Sequence, residues 1–286
     1  MGVGKLHLFD QKERDSFDET AISGGQLSGA ESPEGLHEDY KQWLKANGYW
    51  EAAEEAYAIH ATEQYWEDFQ ANVNPIPAEA FIDSWVGDRA VDAIQKQDRD
   101  QPLFLFVGLP NPHMPFDCPE PYASMYDPAE MPVPTTLHES LDSKPPIQAK
   151  FKREGRRVNY ERMTEAKLQQ AMAYYYGAVT LVDDQVGKIV AALKSTDMYE
   201  DTVIAFCSDH GELLGHYGML TKSIDEYPIL YDVGLKVPLI VRTPDAEEGL
   251  VVETPVELMD ICPTLLDCAG AAVAPEIQGM LSLIHI

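Results

Sequence analysis

The chain has 286 residues and is 45% hydrophobic, enough for one large domain or two small ones with a real core. Its 48 acidic residues outnumber 21 basic ones, a formal net charge of −27, and a surface this acidic repels phosphate backbones and excludes nucleic acid as an expected partner. The four cysteines (Cys118, Cys207, Cys262 and Cys268) form no CxxC pair and indicate no disulfide framework, and no apolar run reaches membrane-spanning length.

In chain order, the opening MGVGKLHLFD carries no apolar signal segment and reads like the interior of a domain, so the expectation is a fragment. Residues 11–35 are polar and Gly/Ser-rich and read as a long loop. Residues 36–70 are acidic and aromatic and predict helices, as an insertion or a lid. Pro77 suits the first turn of a helix over 78–96, with Phe81, Trp85, Val86, Val91 and Ile94 on its apolar face. PLFLFVGL (102–109) reads as a strand buried on both faces. The following PNPHMPFDCPEPY is too rich in proline for regular structure. Residues 127–164 read as loop, including the basic KFKREGRR.

A helix is predicted over 165–194, strands over 202–209 and 237–244, and a helix in ETPVELMDICPTLLDCAG closed by Gly270. Strands alternating with long helices predict an α/β fold with a mostly parallel central sheet flanked by helices on both faces. Residues 1–280 would be one partial catalytic domain and 281–286 a truncated or aberrant tail.

In such sheets ligands sit at the carboxyl ends of strands, which singles out the loops after residues 109 and 207. Ser208-Asp209-His210-Gly211-Glu212 offers a carboxylate and an imidazole for a divalent cation. The alternative is a helix N-cap, with Asp209 and Glu212 as a capping box. His113 sits between Pro112 and Pro115, a fixed imidazole suited to a bound anion or to proton transfer, or else a loop histidine bonded to backbone. If Gly4-Lys5-Leu6-His7-Leu8 is a strand, Lys5 and His7 share a face and make an anion clamp; the alternative is an exposed strand face. Lys222 offers a positive point charge, or is solvated like most lysines. Together these groups suit hydrolysis of an anionic oxygen ester.

The ordered set GKLHL, GLPNPHMPFDCPEPYASMY, YYYGAVTLVDDQVGKIVAALK, TVIAFCSDHGELLGHYGMLTK and VPLIVRTP resembles the type I, formylglycine-dependent sulfatases of the alkaline phosphatase superfamily. That resemblance covers most of residues 1–10 and 100–280 and implies a sulfuric ester hydrolase acting on a small-molecule or carbohydrate sulfate ester. It implies that Asp209 and His210 bind a divalent cation, usually calcium. Lys222 and His113 would contact the sulfate, with His113 as acid for the leaving group. Lys5 would hold sulfate and formylglycine, and His7 would orient the formylglycine hydrate, which attacks sulfur.

The chain departs from the pattern in three places. No Cys-x-Pro-x-Arg segment occurs, because Cys118-Pro119 and Cys262-Pro263 have the wrong spacing. The family's early paired aspartates are also absent, so the 286-residue chain is expected to be inactive. The stretch LGHYG replaces the family's usual LGDHG, which leaves His216 and Tyr217 without assigned roles. A phosphonate or phosphate ester hydrolase of the same superfamily, or a non-catalytic binding pseudoenzyme, are the alternative readings.

Overall fold

The computed structural model describes residues 1–6, 17–23, 38–154, 160–222, 230–244 and 249–280. These residues form two compact units, one from Met1–Thr196 with Leu213–Ile229, the other from Asp197–Glu212 with Leu230–Ile286.

The first unit is α/β, as predicted. Strands β1 (Gly2–Gly4), β2 (Thr20–Ile22) and β4 (Phe106–Gly108) form a parallel sheet in the order β2-β1-β4. Strand β2 lies within the segment expected to be loop. Its neighbour is helix α1 (Glu38–Ala46), where Asp39 accepts a 3.0 Å hydrogen bond from the Ile22 amide. Helix α2 (Trp50–His60) and the short α3 (Glu63–Glu67) follow, completing the helices expected over 36–70. Tyr40, Leu44 and Ala53 of α1 and α2 are part of the main core rather than riding over it. They pack with Val3, Ile76 and Trp85, and the Tyr40 hydroxyl donates to Ala80 O at 2.8 Å.

Pro77 precedes a single 3-10 turn (Ala78–Ala80), and the predicted helix proper is α4 (Ile82–Lys96), packed on β1 and β4. Strand β4 is shorter than predicted and is not buried on both faces. Its side chains alternate with the pleat: Leu105 and Val107 face the core, while Phe104 (61% exposed) and Phe106 (45%) do not.

The proline-rich stretch is also more regular than predicted. Strand β5 (Phe116–Pro119) pairs in parallel with β3 (Ala71–Asn74), from Ala71↔Phe116 to Asn74↔Pro119. The Phe116 amide donates to Gln70 O at 2.8 Å, so in the parallel register Phe116 and Cys118 carry the ladder and Pro119, out of phase at the strand end, is not called on to donate.

The basic stretch is not loop from 150 to 154, because α5 (Pro146–Glu154) runs through it. Pro146 at the first helical position and a fully buried Phe151 explain why. Helix α6 (Glu165–Ser195) matches its prediction closely, and its Thr164 cap accepts from the Lys167 amide at 3.2 Å. It packs against α4, β3 and β5.

The second unit contains β6 (Ile204–Cys207), α7 (Asp232–Leu235), β7 (Leu239–Arg242) and α8 (Ile261–Cys268). Both strands were predicted, but they are antiparallel to each other and half-buried rather than buried. Ile204 lies opposite Arg242, whose guanidinium donates to Thr202 O at 2.8 Å and meets Glu200 at 2.9 Å, tying the end of β7 to the start of β6. A Glu257/Asp260 capping box leads into α8, and Gly270 (φ 68°) follows its end, as expected.

Candidate functional site

Two adjacent parallel strands, β1 and β4, end side by side, and the first candidate residues follow them. Lys5 stands one residue past β1, and the loop carrying His113 begins two residues past β4. The predicted strand through GKLHL stops at Gly4, whose φ of 89° breaks the extended run, so alternation does not carry through Lys5. His7 lies outside the described residues. Instead the Lys5 amide donates to Gly108 O at 2.8 Å. The two chains cross so tightly that a Cβ on Gly4 would lie 2.1 Å from Gly108 O, and one on Gly108 would lie 2.0 Å from Lys5 O. Only glycine fits at this crossing, which sets where Lys5 leaves the sheet.

His113 is half-buried in its loop, with its amide bonded to Pro110 O at 3.3 Å. Its Nδ1 donates to Met114 O, since a carbonyl can only accept. The neutral ring therefore carries its proton on Nδ1 and its lone pair on Nε2. Asn111 fixes the loop from beneath: its amide donates to Asp83 Oδ1 at 3.1 Å, and its side-chain Nδ2 donates to Asp83 Oδ2. Asp83 is completely buried on α4, and burial raises its carboxyl from 3.8 to about 6, against the lowering effect of the Asn111 bonds.

Behind the same loop sits a second buried cluster. His60 Nε2 lies 2.5 Å from Asp117 Oδ2, and the Tyr65 hydroxyl donates to both Asp117 oxygens at 3.1 and 3.2 Å. Burial raises the Asp117 carboxyl, opposed chiefly by His60. Sequence reasoning missed Asp83 and this cluster. The signal for Asp83 was an acid on the apolar side of a helix beside Ile82, Trp85 and Val86. His60, Tyr65 and Asp117 are too far apart in sequence to leave one.

Lys222 belongs to the first unit too. It follows a turn closed by Leu214 N to Leu220 O (2.9 Å) and Gly215 N to Met219 O (2.7 Å). Leu213, Met219, Leu220 and Thr221 are fully buried, and Lys222 emerges half-buried from that anchor.

Asp209 and His210 lie in the second unit, directly after β6. No helix begins between residues 208 and 213, so Asp209 is not a helix cap there. Its carboxylate is largely exposed, and His210 Nε2 lies 3.5 Å from Asp209 Oδ1. His210 Nδ1 is 2.8 Å from Gly211 O and so carries the proton of the neutral ring, which leaves the lone pair on the nitrogen nearest the carboxylate. The Gly211 amide donates to Gly234 O at 3.0 Å, and Val233 O leaves no room for a Cβ on Gly211. An exposed carboxylate beside a correctly oriented imidazole fits two positions of a divalent-cation shell. Among the described residues no group of three or more His, Cys, Asp or Glu side chains is gathered to hold a metal. Two such side chains would make only a minority of the six to eight ligands a calcium ion takes.

Comparison with known proteins gives a consistent picture. The Sulfatase family matches over residues 33–271. An arylsulfatase of Clostridium perfringens is 25% identical, over 97% of this chain and 57% of its own length. The Escherichia coli protein YidJ, described as an uncharacterized sulfatase, is 31% identical over 74% of this chain and 40% of its own. The phosphonate monoester hydrolase SpPMH from Silicibacter pomeroyi superposes with a TM-score of 0.68 at 28% identity, covering 84% of this chain and 48% of that structure. The chain spans about half the length of the curated relatives it matches.

Proposed function

Since the chain belongs to the sulfatase family, we propose that its protein hydrolyses an organic sulfate ester, of a small molecule or a carbohydrate, using a divalent cation. The observation that carries this reading is the arrangement of Lys5 and His113 at the carboxyl ends of adjacent parallel strands, within a chain that matches the family over 33–271. Calcium is the cation proposed, as the resemblance implies, and an exposed aspartate is a hard oxygen donor compatible with it. When bound, a divalent cation polarises the oxygens of the transferred group.

The chain's own residues would divide the remaining work. Asp209 and His210 would hold the cation. The ammonium groups of Lys5 and Lys222 would offset charge on the sulfate oxygens. His113 would give a proton to the leaving oxygen from Nε2. That step uses the imidazolium form, in which Nδ1 still donates to Met114 O. His7 keeps the role the resemblance implies, the orientation of formylglycine. No Cys-x-Pro-x-Arg segment occurs in the 286 residues, so no step is written through formylglycine.

The likeness to a phosphonate monoester hydrolase favours a second reading of the same groups, since two lysines, a histidine and a cation also suit a phosphonate ester. The two readings are separated by comparing hydrolysis of 4-nitrophenyl sulfate and 4-nitrophenyl phenylphosphonate by the full-length protein, and the 286-residue chain is assayed with the same esters, with and without calcium, for the inactivity expected of it. The expected result for the chain is no turnover of either, since the nucleophile segment is absent, together with calcium binding that weakens at least tenfold in Asp209→Ala. Calcium-dependent sulfate release would overturn the expectation of inactivity. Calcium binding unaffected by Asp209→Ala and His210→Ala would remove the proposed ligands.

A further inference from the structure

Two stretches that the proposed function leaves unused meet in the first unit. One is the segment 144–154, with four Lys or Arg residues and one acid, in a chain whose totals are 21 basic and 48 acidic. Such a local reversal of sign against a strongly acidic background marks an anion-attracting surface. The other is the turn containing His216 and Tyr217.

The structure brings these together. Lys152, on α5, places its Nζ so close to the turn that a Cβ on Gly218 would lie 2.6 Å from it. Lys144 Nζ sits 4.9 Å from the centre of the Tyr217 ring. Thr136 Oγ1 and His216 Nδ1 are 3.0 Å apart, joining the turn to the segment that leads into α5. Tyr217 has φ 56°, between glycines at φ 92° and 71°. A bulky aromatic residue held in the left-handed region is strained, and such strain concentrates at ligand sites. Burial lowers the pKa of the Lys152 ammonium, and Glu161 opposes this only in part. Its charge is therefore incompletely compensated, and an arriving anion would restore the balance.

Lys222 lies four residues beyond Gly218, so their α-carbons are at most about 14 Å apart even if the chain were fully extended. One ligand of two or three sugar rings spans such a distance. We propose that Lys144, Lys152 and Tyr217 form a second anion subsite beside Lys222, which selects a carbohydrate sulfate ester bearing a further anionic group, a polysulfated di- or trisaccharide. This deepens the proposed function and rests on its reading of Lys222 as a sulfate contact.

The test is calorimetric binding of glucose 6-sulfate and of a disulfated disaccharide to the 286-residue chain at fixed ionic strength, with a single-stranded oligonucleotide of equal length as a third probe. The expected result is at least tenfold tighter binding of the disulfated sugar. Lys144→Gln/Lys152→Gln should abolish that preference while changing glucose 6-sulfate affinity less than twofold. Lys222→Gln should weaken both sugars, and Lys152→Arg should keep the preference. If the double variant does not fold by circular dichroism, Lys144→Gln alone is expected to cost about threefold in the preference, roughly the weight of one partly exposed charge. A preference untouched by these lysine substitutions, with Lys222→Gln still weakening both sugars, would overturn the subsite and leave the sulfate reading standing. A preference lost with the lysines but indifferent to Lys222→Gln would overturn both the placement beside Lys222 and that residue's role. Absence of binding of either sugar would overturn both proposals. Oligonucleotide binding as tight as the disulfated sugar, lost in the same variants, would reduce the site to an unselective anion patch and overturn the inference.

Discussion

Asp83→Asn isolates the group that anchors the His113 loop. Asp83 is fully buried, and its carboxyl is raised from 3.8 to about 6. The folded protein therefore holds this proton more tightly than the unfolded chain. The stabilisation associated with the proton is complete below about pH 4 and is lost as pH rises through 6. Two pH units at 1.36 kcal/mol each make the loss roughly 3 kcal/mol. Asparagine has no such titration, and a flipped Asn111 amide could still pair with it. Urea unfolding of both proteins at pH 4, 5, 6 and 7 reads the difference directly. The wild type should lose about 2.4 kcal/mol relative to Asp83→Asn between pH 4 and 7, with most of the change between pH 4 and 6. Taking the difference cancels Asp117, whose raised carboxyl acts in the same direction. Parallel stability curves would show that Asp83 is not held neutral by burial, and the account of the loop anchor would be wrong.

Two further substitutions test the scaffold around the site. Gly108→Ala forces a Cβ to within 2.0 Å of Lys5 O, so the crossing of β1 and β4 must open. A loss of about 1–3 kcal/mol in chemical unfolding is expected, the range for enforced overpacking with backbone displacement, and a loss under 1 kcal/mol would refute the tight crossing. His60→Leu removes one partner of a buried pair whose side chains are 5% and 4% exposed. A cost of about 3 kcal/mol is expected, which lowers the melting temperature by roughly 6–12 °C in a unit of this size. The loss should be larger at pH 8 than at pH 4, because Asp117 then keeps its charge without the imidazole. Equal losses at the two pH values would contradict the pairing.

Much of the fold was legible in residue patterns because those patterns are local. The run of helix formers behind Thr164 predicts α6 almost to the residue, and the apolar spacing from Phe81 to Ile94 predicts α4. The candidate groups were legible for a different reason: Lys5, His113, Asp209 and His210 sit in short motifs following strand ends, where an α/β sheet exposes its ligands, and Lys222 closes the motif that begins at Asp209. Local pattern failed where a distant partner decides the outcome. Whether PLFLFVGL is buried on both faces depends on what packs on each face of its sheet, and here Leu105 and Val107 meet the core while Phe104 and Phe106 stay exposed. Phe116–Pro119 becomes a strand despite its prolines because Ala71–Asn74 offers an edge to pair with.

Chain order and residue type thus determined by themselves the class of fold, the long helices and the chemistry on offer, since each depends on side chains within a turn or two of one another. Tertiary structure alone decided that Gly4 and Gly108 must cross with no Cβ between them and that Asp83 holds the His113 loop. It also decided that α5 brings Lys152 against the turn before Lys222. Each of these is a contact between segments dozens of residues apart, where packing space and burial, rather than local propensity, set which groups meet.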